Sequence, residues 1–270
     1  QEQEELEEGT PALVQDGFDA ELVPGNELPA WAQEAGYLGG QLIPGDGELD
    51  PVAFGLGLAD SAVGLGVRLY EDSEVLQLDS GSEGVVAHTA RGRLSASAAV
   101  LATNGYAPRL TPWFQSRVDP TRGQVFATSP LPERLFERPI YASHGFEYWQ
   151  QLDSGEVVLG GWRNLDMEGE VGYDNSLHSS IQGTMEEFLR GLHPLLRDVE
   201  ITHRWSGIMG FSRDSLPIIG PLPGSPVLFA ATGFTGHGFG FAVHAARVLR
   251  QLLCEGTSEW ADLFAPRRLA

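Results

Sequence analysis

Apolar residues recur along this chain at two spacings, and the switch between them marks out its elements. Met185, Phe188, Leu189 and Leu192 follow the three-and-four rhythm that lines one face of a helix. A second helix is predicted from Asp50–Pro51 through VAFGLGLADSAVGLG, with Asp50 as N-cap and Pro51 at the first helical position. Glycines 55, 57 and 64 are costly inside it unless close packing requires them. Short runs of β-branched and apolar residues predict strands: VRLYE at 67–71, VLQL at 75–78, VVAHT at 85–89 and SAAVLAT at 97–103. From Thr111 to about Ile201 the runs GQVFAT, EYWQQ and EVVLGGW, separated by turns such as Asp153–Ser154–Gly155, predict a largely antiparallel sheet. The run 227–231, VLFAA, predicts a last strand, followed by a helix through FAVHAARVLRQLLCEG that stops at Gly256 as a C′ glycine.

The remaining stretches fill in the plan. QEQEELEE at the start is helix-compatible and charged, and residues 17–45 are broken by Pro and Gly into short elements. The order of elements predicts an α/β plus α+β fold, with a mainly antiparallel domain inserted between two parts of another. The expected divisions are 1–45, 46–110, 111–200 and 201–270.

Composition narrows the chemistry. The chain has 270 residues, 42% of them hydrophobic, enough for a sizeable core. No segment approaches the about 18 uncharged apolar residues that span a bilayer, so no membrane partner is expected. The net charge is -20, and all 17 basic residues are Arg. Without Lys there is no Schiff-base amine, no pyridoxal phosphate anchor and no Walker lysine. An acidic surface repels phosphates, which argues against nucleic acid as a partner. The single Cys254 excludes an internal disulfide framework and a cysteine-based zinc site, and a reducing cytoplasm is the expected compartment. The histidines form neither HxH nor HExxH, so no metal is expected. The sequence opens on Gln1 and its first methionine is Met167, so a preceding segment is expected to be absent.

Candidate chemistry concentrates in GFTGHGFGFA, 233–242, between the last predicted strand and the last helix. Glycines at such a turn let a ligand approach the backbone, and the bare N–H groups of the helix start favour an anion or an electron-rich ring. The competing reading is that the glycines only let the helix pack on its strand. Two further glycine-bearing segments follow β-like runs, ATNGY at 102–106 and GGWR at 160–163. The segment WSGIMGFSRDSLPIIGPLPG at 205–224 adds an acid, prolines and Gly220.

Taken in this order, these segments resemble the D-amino-acid oxidase-like superfamily of FAD-dependent oxidoreductases, in particular its gamma-glutamylputrescine oxidase-like branch. The motifs LATNGY, RGQ and RWSGIMGF–D–LPIIG carry the likeness, which covers roughly residues 17–255. It implies a truncated, discontinuous FAD-binding domain from 46–110 and 201–270, a substrate domain at 111–200, and 1–45 as a substrate-domain or linker segment. The cofactor implied is non-covalent FAD. Its contacts fall on Thr103, Asn104 and Gly105, on Gly207 and Met209, and on Gly233, Phe234, Thr235, Gly236, His237 and Gly238. Asp214 with Pro217–Gly220 shapes the floor near the ring. Tyr106, Arg122, Tyr148, Trp162 and Arg163 are candidates to line a substrate pocket. For Arg122 a salt-bridge role is an equal alternative, and for each aromatic so is packing.

The departures from the family pattern matter as much. No GxGxxG occurs in these 270 residues, so the βαβ unit that holds the pyrophosphate and adenosine is missing. Met209 stands where related oxidases carry a carboxylate-gripping Arg, and Gly207 lies about where sarcosine oxidases tether flavin through Cys. The expected activity is oxidation of a small amine or amino acid by hydride transfer to flavin, with oxygen or another acceptor downstream. No catalytic side chain is assigned. The alternative is a non-catalytic fragment or partner subunit that needs another chain to supply the βαβ unit.

Overall fold

The computed structural model describes residues 2–82 and 84–270, which divide into two compact units. The first comprises residues 2–65, 123–167 and 176–206; the second comprises 66–82, 84–122, 168–175 and 207–270. The predicted helix at 51–64 therefore groups with the first unit. Residues 168–175, from the middle of the expected substrate domain, belong to the second.

The first unit starts with α1 (Glu2–Gln15), β1 (Glu21–Pro24), α2 (Ala30–Glu34), β2 (Gly39–Leu42) and α3 (Pro51–Gly64). Asp50 caps α3 as predicted, its Oδ1 accepting from the N–H groups of Val52 (2.8 Å) and Ala53 (3.0 Å). No residue of α3 is buried, and Val52, Leu56, Leu58 and Val63 are all more than half exposed.

After β3 (Val75–Gly81), β4 (Gly84–Thr89), β5 (Gly92–Ala96), β6 (Ala99–Leu101) and the short α4 (Ala107–Leu110) comes the longest sheet. Its order is β11 (Ile201–Ser212), β7 (Val118–Thr128), β10 (Val157–Gly161), β9 (Glu147–Gln151) and β8 (Ile140–Ala142). In this sheet β7, β8, β9 and β10 pair antiparallel, as the alternating runs predicted. Helix α5 (Ser179–Leu192) buries Ile181, Met185, Leu189 and Leu192 in a core shared with Phe126, Trp149 and Leu159. That face is the i, i+4, i+8 stripe an amphipathic helix turns toward a sheet.

The second unit holds the antiparallel meander β3–β4–β5 and a three-stranded sheet in the order β12 (Ile218–Pro221), β13 (Leu228–Thr232), β6. Strand β13 pairs antiparallel with β12 and parallel with β6. Alternation along β13 sends Phe229 and Ala231 against α6 (Gly238–Glu255), and Leu228 and Ala230 into a second core with Leu101 and Phe114. Helix α6 ends as predicted on Gly256, which adopts φ 78°, and is followed by α7 (Ala261–Phe264).

Two local expectations are corrected. VRLYE at 67–71 forms no strand: it has no ladder partner, and Val67, Leu69 and Tyr70 are more than half exposed. The predicted run 97–103 is strand only over β6, because Asn104 turns the chain at a φ of 43° into a 3-10 turn.

Candidate functional site

The strand–turn–helix unit β13–α6 defines the site, because its turn is built from two unlike kinds of glycine. Gly233 is crowded. A Cβ there would lie 3.2 Å from Ser212 Cβ and 3.4 Å from Ile218 Cδ1. Gly236 and Gly240 have nothing within 4 Å of where a Cβ would stand, and Gly238 meets only the Phe234 ring stem at 3.7 Å. Internal packing accounts for Gly233 and a φ of 84° accounts for Gly236, but neither accounts for Gly238 or Gly240. Their N–H groups find no acceptor among the described residues, and they border the positive end of α6, an 18-residue helix.

The turn is pinned from below. Thr235 N–H donates to Gly210 O (2.8 Å), and Thr235 Oγ1 accepts from Ser212 N–H (3.2 Å). His237 precedes the first residue of α6, with its Nδ1 2.9 Å from Thr235 O. Since a carbonyl can only accept, that contact fixes the proton on Nδ1.

The ATNGY turn sits against the same strand. A Cβ on Gly105 would meet Met209 O at 2.7 Å, and one on Gly210 would meet Asn104 Oδ1 at 2.6 Å. The two backbones cross closely enough that only glycine fits at either place. Thr232 Oγ1 donates to Asn104 O at 2.8 Å and ties the turn to β13. Thr103, Asn104, Gly105, Met209, Phe234, Thr235, Gly236, His237 and Gly238 are thus brought together; Gly207 is exposed with open space around it. Thr103 Oγ1 and Asn104 Oδ1 are buried with no hydrogen-bond partner, which native interiors rarely tolerate without a ligand or water to satisfy them.

The five pocket candidates are not brought together in one unit. Tyr106 lies in the second, with its ring centroid 5.6 Å from that of Tyr173. Arg122 is held in an ion pair. It is buried and bidentate to Glu170, Nε–Oε2 3.0 Å and Nη2–Oε1 2.8 Å, and it also donates to the carbonyls of Gly169 and Asp174. A carboxylate with 0% exposure needs such a partner, and of the two open readings of Arg122 these contacts support the ion pair.

In the first unit Trp162 faces the core, 5% exposed, with its ring 4.8 Å from Phe188. Tyr148 lies on the sheet face opposite Trp149 and Leu159, directly across from Tyr141 and Gly160. A Cβ on Gly160 would meet the Tyr148 ring at 2.6 Å, so this glycine lets the phenol lie flat over β10. Burial pushes the Tyr148 hydroxyl up from its ordinary pKa. Arg163 stacks 4.7 Å from the Phe146 ring centroid, and partial burial pulls its guanidinium down, opposed by Tyr141 and Tyr148.

Comparison with known proteins gives the family and the fold. The family model of FAD dependent oxidoreductases (DAO) matches residues 1–252, and the chain belongs to that family. Among curated relatives it is 30% identical to the glycine oxidase of Geobacillus kaustophilus (strain HTA426) over 215 residues, 78% of this chain and 54% of that protein. It is 26% identical to the gamma-glutamylputrescine oxidoreductase of Escherichia coli (strain K12), over 91% of this chain and 57% of the relative. Among solved structures, glycine oxidase from Geobacillus kaustophilus superposes with a TM-score of 0.83 at 22% identity, covering 97% of this chain and 70% of that one. The chain spans about half the length of the curated relatives it matches.

FAD is the cofactor of the family, and the residues present suit it. Bare helix-start N–H groups favour an electron-rich ring edge, and the unsatisfied oxygens of Thr103 and Asn104 call for a polar ligand group. Among the described residues no helix is long and apolar enough to cross a membrane.

Proposed function

We infer that this chain forms the ring-binding part of an FAD-dependent enzyme that oxidises the CH–NH bond of a small amine or amino acid. The observation that carries the reading is the pair Gly238 and Gly240, whose glycine identity neither an internal contact nor a positive φ requires. In this reading the helix-start N–H groups would hold the flavin ring and would stabilise negative charge developing on it. FAD, when bound, supplies the acceptor for the hydride that leaves the substrate carbon. The oxidised substrate would be an imine, open to hydrolysis to ammonia or an amine, with oxygen or another acceptor as the terminal oxidant. Tyr148 and Arg163 are read as polar side chains presented to the substrate on the side of the sheet opposite Trp149. Met209 leaves its position without a cation, which favours an amine, or an acid gripped elsewhere.

A second reading is favoured by one observation: α3 is apolar on several sides, yet none of its residues is buried. Helices of that composition are ordinarily enclosed. In this reading the site is complete only with a further polypeptide segment, supplied by the same protein or by another chain.

Titration with FAD separates the two. Uptake by the purified chain, with the visible flavin bands shifted and fluorescence quenched, supports the first reading. A chain that takes up neither FAD nor riboflavin at high micromolar concentration eliminates it as a self-sufficient flavin site. Uptake restored only by adding the complementary part of the protein supports the second.

A further inference from the structure

Residues 168–175 leave the first unit in sequence, join the second, and return. Every contact described for them within the second unit works as a fastening. Arg122 N–H donates to Glu170 O (2.7 Å), Gly172 N–H donates to Pro120 O (2.9 Å), and Thr121 bridges Val171 as in a β-ladder. The bidentate Arg122–Glu170 pair is buried beneath them, and Arg122 Nη1 holds the carbonyl of Asp174 at 2.7 Å.

What the fastening holds in place is Tyr173. Its ring packs against Tyr106, with centroids 5.6 Å apart, and against Arg109, whose guanidinium carbon is 4.2 Å from the Tyr173 ring centre and 5.7 Å from that of Tyr106. Its hydroxyl is buried with no hydrogen-bond partner. Tyr106 ends the 3-10 turn that begins at Asn104, so Tyr173 flanks the turn whose Thr103 Oγ1 and Asn104 Oδ1 are also unsatisfied. Three buried, unpartnered oxygens therefore belong to one turn and the clasp beside it.

The chemistry of these oxygens selects their ligand. Two are hydroxyls that can donate or accept, and Asn104 Oδ1 can only accept. A pyrophosphate offers acceptors alone and would oppose Asn104 Oδ1. A chain of hydroxyls offers a donor and an acceptor at every carbon and satisfies all three.

We propose that Thr103, Asn104 and Tyr173 bind the ribityl hydroxyls of the flavin, and that the Arg122–Glu170 clasp positions Tyr173 for that contact. This rests on the flavin reading given above and adds to it a cofactor contact, Tyr173, and two positioning residues, Arg122 and Glu170.

The test compares riboflavin, which carries the ribityl chain, with lumiflavin, which has the ring alone. Tyr173→Phe removes only the hydroxyl; it is expected to weaken riboflavin about three- to tenfold and leave lumiflavin unchanged. Glu170→Gln is expected to speed amide hydrogen exchange at 168–175 and at 103–106, and to give the same selective loss of riboflavin. Equal effects of Tyr173→Phe on the two flavins, or none on either, overturn the proposal while the ring site stands. A wild-type chain that binds lumiflavin and riboflavin equally well also overturns it. Binding of neither flavin, with the complementary part of the protein also added, overturns the ring site and this inference together. Unchanged exchange at 103–106 in Glu170→Gln, with 168–175 loosened, removes the positioning role and leaves the Tyr173 contact to the flavin comparison.

Discussion

Gly105, Gly210 and Gly233 differ from Gly238 and Gly240 in what a side chain would strike. In the first set it strikes this protein's own backbone or core, as when a Cβ on Gly105 meets Met209 O at 2.7 Å. In the second it meets open space or the stem of one ring. A glycine demanded by packing serves the fold, and its cost in backbone entropy is recovered inside the molecule. A glycine that no internal neighbour demands still carries that cost, so its return has to come from outside. This difference separates scaffold from binding surface within one turn of chain.

The largest effect is expected at the crowded set. Gly105→Val drives a branched side chain into the Met209 carbonyl and Ile208, and it should destabilise the chain by about 2–3 kcal/mol or more. Urea denaturation measures this, and a variant within about 0.5 kcal/mol of wild type would erase the distinction between the two sets.

At the open set the same substitution should separate binding from folding. Gly240→Val is expected to leave the urea midpoint almost unchanged, because valine in a helix is no worse than glycine. It should weaken flavin binding at least tenfold, because the branched side chain fills the space over the helix start. Equal loss of stability and binding would show that Gly240 serves packing after all.

Legibility in the sequence follows the same line. Periodicity found α5 because Met185, Leu189 and Leu192 really do share a buried face, and it found the start of α3 because Asp50 caps it locally. It could not say that α3 buries none of its residues, since burial depends on what lies opposite. VRLYE has strand composition but no partner, and a strand exists only through its ladder. The glycine motifs pointed to the turn. Only geometry divided its glycines into crowded and open. Trp162 and Arg122 were legible as residues beside glycines, yet a Phe188 ring and a buried Glu170 decide what they do. Glu170 and Tyr173 lie in GEVGYDN, which matches no motif; the only signal in it is one aromatic among acids and glycines.

A smaller effect should sharpen the boundary between the sets. Thr232 is fully buried, and its hydroxyl donates to Asn104 O at 2.8 Å. Thr232→Val keeps the shape and leaves that carbonyl without its donor, costing about 1–2 kcal/mol. Because the bond anchors the ATNGY turn, hydrogen exchange should quicken at 103–106 and stay unchanged at 236–240. Acceleration at both turns would mean that they move as one body and that the scaffold extends into the open set.

The smallest expected effect is acid-dependent and lies beneath the crowded set. Asp214 sits in the turn that follows Ser212, the residue crowding Gly233, and it holds Arg268 through Oδ2–Nε at 2.6 Å and Oδ1–Nη2 at 3.0 Å. The Arg268 guanidinium holds the Asp214 carboxyl below its ordinary range, although partial burial opposes this. A carboxyl depressed in the folded state stabilises the fold above its unfolded pKa of about 3.9, and that contribution disappears as pH falls through the lower folded value. The pair is partly solvated, so its worth is at most about 1 kcal/mol. Stability of the wild type should therefore fall more steeply below about pH 4 than that of Asp214→Asn, and the two curves should run parallel from pH 5 to 7. Flavin binding at pH 6 should be the same in both, because Asp214 braces the crowded glycine and leaves the open ones untouched. A loss of flavin in Asp214→Asn without a loss of stability would put this turn among the ligand contacts instead of the scaffold.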